Sequence, residues 1–298
     1  MKFLKGLALS LLGFLLFLSL SIFGLALMLN YTILDPNFIA SELNRLDTAS
    51  LARDLIIPQL PQELKDRQFF TEALDNTITD LEPWIKEQAS IATYSGYDYL
   101  MGRSQSLNLV ISLEPVRESL RDNLWQAFQQ SLPPELAGVS PDKIKPYFDE
   151  YYQQFSQDIP STFEFTEGSL PPEALAIVEQ VREAIGYFQL GYKALIGFMV
   201  VLILGIIFLD RQVRSSTRRL GTTLLTFGAV EYGGIFAAKY LTKTQMAQFD
   251  IPSSLQTWLP QFYDNLLAPL EIFSLGLLIG GVILLVVSFV YKPRQPVF

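Results

Sequence analysis

The sequence contains no cysteine and no histidine in 298 residues. The first absence excludes disulfides, thiolate nucleophiles and Cys-ligated metal. The second removes Ser-His-Asp triads, HExxH metalloprotease sites and imidazole ligation of haem. Charge is scarce too: Asp, Glu, Lys and Arg make up 17% of the chain, against roughly 25% in a typical soluble domain. The balance is negative, at −8. That argues against nucleic acid as a partner, because phosphate binding needs a basic face. No EF-hand, P-loop or dinucleotide fingerprint is found, so neither cofactor nor metal is expected.

The charge deficit is concentrated in four blocks. Residues 6–29 are uncharged, and about 20 apolar helical residues cross a hydrocarbon core. A cleaved signal peptide is the rival reading, since Lys2 and Lys5 form a basic n-region. Its h-region would normally stop at about 7–15 residues and end in an A-x-A site. This run is longer and lacks that site, so it reads as a retained signal-anchor. Residues 187–209, 220–240 and 268–291 give a second, third and fourth span, the third being the least apolar.

Orientation follows from Lys and Arg in the short loops. Lys2 and Lys5, then Arg211, Arg214, Arg218 and Arg219, then Lys292 and Arg294 fall on one side, while the opposite short loop has only Lys243. The expected fold is therefore an all-α membrane protein with both termini cytoplasmic. Residues 1–5, 210–219 and 292–298 are the cytoplasmic segments. Residues 30–186 form a mainly helical extracytoplasmic domain inserted between spans 1 and 2, and 241–267 form a second outer loop.

Between Asn30 and Ile185 stand 25 Asp and Glu against 11 Lys and Arg. Such a surface stays soluble and is repelled by anionic lipid. Its periodicity is helical nearly throughout. Asp35-Pro36, Asp47-Thr48, Glu114-Pro115, Ser140-Pro141 and Pro171-Pro172 read as helix starts. One long helix is expected over 68–99, bent at Pro83. Ser106–Leu113 alternates like a short strand, with no evident partner. The helix from Pro172 runs without a breaker into the second span. An amphipathic stretch from Leu255 to Leu267, punctuated by Pro260, precedes the fourth span and is expected on the outer surface or packed under the domain. The aromatics Tyr147, Phe148, Tyr151, Tyr152 and Phe155 have helical spacing and read as core.

Glu231, near the middle of the third span, is the most unusual residue. An ionisable group in lipid costs a few kcal/mol, so it faces protein or water and often marks function. Lys193 in the second span and Lys239 at the end of the third are its candidate partners. Ala229, Gly233 and Ala237 recur every fourth residue, and Gly276 with Gly280 makes a GxxxG; small residues so spaced let helix backbones meet. These patterns favour a tight bundle with Glu231 buried and hydrogen-bonded; a proton or ion path is the alternative.

Catalytic readings are thin. Ser140–Lys143 matches S-x-x-K but lacks its companion elements, and proline after serine marks a helix cap. Carboxylate pairs such as Asp149-Glu150 are the raw material of glycoside hydrolysis. With 25 acids in the domain, they arise by chance. No catalytic residue is assigned.

The segment Thr32-Ile33-Leu34-Asp35-Pro36-Asn37-Phe38 behind a signal-anchor, followed by Leu43 to Asp47, resembles uncharacterised prokaryotic four-span membrane proteins with a large extracytoplasmic helical loop. The resemblance implies the same architecture and brings no activity with it. The expected function is to present the helical domain for protein–protein interaction, as a scaffold, assembly factor or envelope sensor. The expected partners are the bilayer and either another protein or further copies of the chain. The alternatives are transport through Glu231 and a carboxylate-based envelope hydrolase.

Overall fold

The structure, a computed structural model, describes residues 2–130, 132, 139–157, 159–210, 212–246 and 251–291. Arg211, Lys292 and Arg294 of the charge pattern lie outside the described residues, as do the side chains of Lys2, Lys243, Tyr151 and Phe155. The chain is all-α in class and 84% helical.

In chain order the helices and strands are α1 (Lys2–Tyr31), α2 (Pro36–Arg45), α3 (Thr48–Ile56), α4 (Gln62–Lys65), α5 (Gln68–Asp80), α6 (Glu82–Leu100), β1 (Asn108–Ser112), α7 (Glu114–Gln130), α8 (Pro141–Ser156), β2 (Thr162–Thr166), α9 (Pro172–Asp210), α10 (Val213–Met246) and α11 (Ser253–Val290). They fall into two compact units: Met1–Ile39 with Glu183–Asp250 and Leu259–Phe298, and Ala40–Arg182 with Ile251–Trp258.

The first unit is a helical bundle. Among the described residues, α1, α9 and α11 are long and apolar enough to cross a membrane. The least apolar of the expected spans, 220–240, lies inside α10 and is not among them. Its packing nonetheless puts it in register with the other three. Along α1, Gly13 lies by Thr223, Phe17 stands edge-on to Phe227, and Gly24 meets Glu231. The residue numbers rise together, so α1 and α10 run parallel. Helix α9 runs against α1: Lys5 reaches Asp210, Leu12 covers Gly205, and Phe23 stacks on Tyr192. Helix α11 runs against α10, with Gly221 at Gly281 and Gly228 at Ser274.

The α10–α11 contact is made at backbone distance. A Cβ on Gly281 would lie 2.6 Å from the Leu225 nitrogen, and one on Gly228 would lie 2.8 Å from the Ser274 oxygen. The contact positions on α10 include Gly221, Gly228 and Ile235, seven residues apart, with Leu225 between the first two. Seven residues make about two turns and so return to one face. The expected four-residue pattern does not carry this packing. Ala229, Gly233 and Ala237 are exposed, and nothing lies within 4 Å of a Cβ on Gly233, Gly276 or Gly280. The reason is rotation: Gly280 sits about 100° around α11 from Gly281.

The second unit packs α5 against α7. Ala73 is completely buried there among Leu120, Leu124, Ala127 and Tyr152, with Phe69, Phe70 and Phe148 behind them. Asp47 caps α3 as expected, accepting the Ser50 N–H at 2.9 Å. That bond holds its carboxyl below the usual carboxylate range. Asp35 likewise accepts the Asn37 N–H at the start of α2.

Three expectations change. The helix over 68–99 is broken, not bent: α5 ends at Asp80 and α6 restarts at Glu82, because Pro83 has no N–H to donate and crowds the preceding turn. The strand near 106–113 has a partner after all, β2, antiparallel with Leu109 opposite Phe165 and Ile111 opposite Phe163. The amphipathic 255–267 stretch is no separate surface element. It is the first part of α11, which continues through both Pro260 and Pro269. The helix from Pro172, by contrast, runs unbroken to Asp210 as expected.

Gly281→Ala is expected to cost the bundle about 1–3 kcal/mol, the usual penalty for inserting a methyl group into a close-packed contact. Gly276→Ala should stay within about 0.5 kcal/mol of the parent. Reversible unfolding of the purified protein in detergent micelles measures both.

Candidate functional sites in the bundle and the acidic domain

Glu231 sits on α10 against α1 and α11. Its Oε1 occupies the space that a Cβ on Gly24 would need, and a Cβ there would also lie 2.9 Å from Leu270 Cδ1. Its Oε2 is buried and accepts no hydrogen bond from any described residue. The residue as a whole is partly buried, and the expected hydrogen bond is missing among the described residues. Gly24 stands about 28 Å along α1 from Lys5 at 1.5 Å per residue, and Glu231 lies near the middle of α10.

Neither expected lysine pairs with it. Lys193 is exposed. The neighbouring Tyr192 turns toward α1 and stacks on Phe23, ring centroids 5.5 Å apart. One residue on, Lys193 projects about 100° away from that face. Lys239 instead pairs with Glu271 of α11, Nζ to Oε2 at 2.5 Å. Glu271 is the residue that the sequence reading passed over. It lies within the apolar 268–291 run, and a carboxylate there deserved the same weight as Glu231.

At the other end, Lys5 Nζ reaches the Asp210 carbonyl at 3.2 Å and its Oδ1 at 3.8 Å. Asp210 is 6% exposed and closes the last turn of α9. A carboxylate at a helix C-terminus meets the negative end of the dipole, and the ammonium offsets both.

In the acidic domain, a cavity of about 1000 Å³ opens beside the α5–α7 core, bounded also by α4 and α8. Phe70, Leu124, Phe128, Ile144 and Phe148 form much of its wall, and Arg67 and Lys143 also line it. The aromatics expected in the core divide. Phe148 packs on Trp125 and Phe128, with centroids at 5.1 and 5.9 Å, and Tyr152 is buried. Tyr147 is 76% exposed at the cavity. The Tyr152 hydroxyl donates to the Arg117 carbonyl at 2.6 Å, and burial raises its pKa above the ordinary phenol value.

Of the candidate carboxylates, Asp149 is engaged structurally. Arg121 donates to Asp149 from Nε and Nη2 at 3.0 and 2.8 Å, beside a polar cleft of about 310 Å³. Ser140 precedes α8 at its N-cap position, and Lys143 lines the cavity. Both sit where a helix start puts them. No protein-family model matches the chain, and no curated protein and no solved structure is similar to it.

Removing one member of the Lys239–Glu271 pair should cost more than removing both. Lys239→Met leaves a carboxylate without its ammonium in an apolar setting, whereas the Lys239→Met, Glu271→Leu double variant leaves no charge. A double-mutant cycle on unfolding free energy in micelles should give a coupling of roughly 1 kcal/mol or more.

Proposed function

We propose that the chain is a four-span membrane protein that displays its acidic helical domain, residues 30–186, on the non-cytoplasmic side as a docking platform for other proteins. Its role is that of a scaffold, assembly factor or sensor. Three helices long and apolar enough to cross a membrane support the membrane reading. The observation that carries the fourth span is the register of α10. Its contacts run from Thr223 beside Gly13 at one end to Lys239 beside Glu271 at the other. A helix so threaded beside three membrane-crossing neighbours crosses with them. It is about 50 Å long, ample for a core of about 30 Å. Its outward face carries Val230, Phe236 and Tyr240, each more than 60% exposed, much as α1 exposes Ile22 and α11 Ile272. Apolar surface on this scale belongs against lipid.

Orientation rests on charge. Lys5, Arg214, Arg218 and Arg219 belong to the Lys5–Asp210 end, which makes that end cytoplasmic. The reading of the domain as a binding platform rests on how its charges are used. Arg53–Asp75, Arg117–Glu114 and Arg121–Asp149 hold acids in ion pairs within the fold. The remaining acidic surface suits a basic partner.

A second reading, transport or channel activity, has one observation in its favour: the buried Glu231 oxygen with no partner among the described residues. An unpaired carboxylate in a bundle is a candidate proton or cation ligand.

Two experiments separate these outcomes. The chain has no cysteine, so single cysteines report topology without background. Ser140→Cys is expected to react with a membrane-impermeant maleimide in intact cells and Gln212→Cys only after permeabilisation; the reverse pattern would sink the topology. For the second reading, protein reconstituted in vesicles is tested for proton and monovalent-cation flux. The platform reading expects no flux above empty vesicles. Flux that disappears in a folded Glu231→Gln variant would establish transport instead.

A further inference from the structure

The acidic domain uses its cations in a conspicuous way. It holds 11 Lys and Arg among 25 Asp and Glu. Arg45, Arg53, Lys86, Arg103, Arg117 and Arg121 each pair with a carboxylate. Lys65 donates to the Pro58 carbonyl, and Arg182 lies over the Tyr99 ring at 5.0 Å. Only Arg67, Lys143 and Lys145 have no side-chain partner among the described residues. Two of these three, Arg67 and Lys143, line the same cavity, and both are exposed. Cations surrounded by an excess of acid are ordinarily claimed by it; two with no partner among the described residues, at one largely apolar cavity, point to an anion from outside.

The rest of the wall sets the shape of that ligand. Apart from these two cations and two tyrosines, every described residue lining the cavity is aliphatic, aromatic or proline. The Tyr152 hydroxyl is committed to the Arg117 carbonyl. The described lining comes from helices and the approach to α8, so no strand edge is offered for an extended peptide to extend. A volume of about 1000 Å³ is at the upper end of small-molecule sites. We infer that this cavity binds a single-chain lipid amphiphile, with its acyl chain against Phe70, Leu124, Phe128, Ile144 and Phe148 and its anionic head between Arg67 and Lys143. The head is a carboxylate or a phosphate, and each meets guanidinium and ammonium donors in the same way. This site is independent of the protein-docking role and of Glu231.

The test uses the full chain in nanodiscs of zwitterionic lipid. The probe is a 16-carbon fatty acid carrying a photoreactive diazirine and an alkyne handle, with adducts mapped by mass spectrometry. Adducts are expected on peptides covering 64–70, 124–128 and 143–152, competed by unlabelled palmitate or by a lysophosphatidic acid. Whichever competes at lower concentration identifies the headgroup. Arg67→Gln with Lys143→Gln, both at exposed positions that leave the core intact, should cut labelling about tenfold, as expected from two lost charge-assisted hydrogen bonds. Lys145→Gln removes the same charge away from the described lining and should leave labelling unchanged. Equal labelling by the corresponding 16-carbon alcohol probe, an equal loss with Lys145→Gln, or adducts confined to α1, α9, α10 and α11 would each overturn the site. So would protection of the cavity peptides by an acidic amphipathic helical peptide but not by palmitate, which would assign the cavity to a protein partner.

Discussion

The bundle depends on how closely α10 approaches α11. In lipid there is little hydrophobic drive between helices, because acyl chains are as apolar as leucine. Association must come from contact. Gly221, Gly228 and Gly281 supply it by letting two backbones meet with no side chain between them. Helix α10 needs this more than its neighbours do. It carries Glu231, Lys239 and several threonines, and its hydropathy alone does not mark it as a span. Dispersion along a glycine seam, added to the Phe17–Phe227 and Gly24–Glu231 contacts with α1, gives the least apolar helix two packed faces.

The same seam explains where polar groups are tolerated. Among the described residues, the ion pairs of the bundle stand at its two ends: Lys5 with Asp210 at one, Lys239 with Glu271 at the other. Each pair joins neighbouring antiparallel helices, so it fixes their axial register as well as neutralising charge. Glu231 differs. It lies against a glycine that leaves it room, and its inner oxygen has no partner among the described residues. Position and setting together make it the acid whose removal separates a structural from a transport role.

Much of this was legible in the sequence. The apolar runs of α1, α9 and α11 exceed what a soluble helix needs, and the cap at Asp47 is local chemistry. The failures share a cause: they required knowing which neighbour a residue meets. Gly276 and Gly280 satisfied a familiar spacing, yet the contact fell on Gly281, about 100° around the same helix. Lys193 was close enough in depth to Glu231 but faced away from it. Strand β1 alternated visibly, while its partner β2 lies 50 residues on, behind two helices. Glu271 was within sight, and was missed because an apolar run was read as a unit and not residue by residue.

The acidic domain obeys a different economy from the bundle. Its fold is held by ordinary packing around Ala73, where the smallest side chain admits the closest helix approach. Electrostatics then does two separate things there. Most basic residues are drawn into pairs within the fold, which leaves the outer surface strongly negative. Arg67 and Lys143, with no side-chain partner among the described residues, line a cavity whose wall is largely apolar. A negative surface repels the anionic bilayer and free anions alike, so an anion that reaches those two residues must gain more from its apolar portion than it loses on approach. Such a site would select for the length of the hydrocarbon chain first and for the head second.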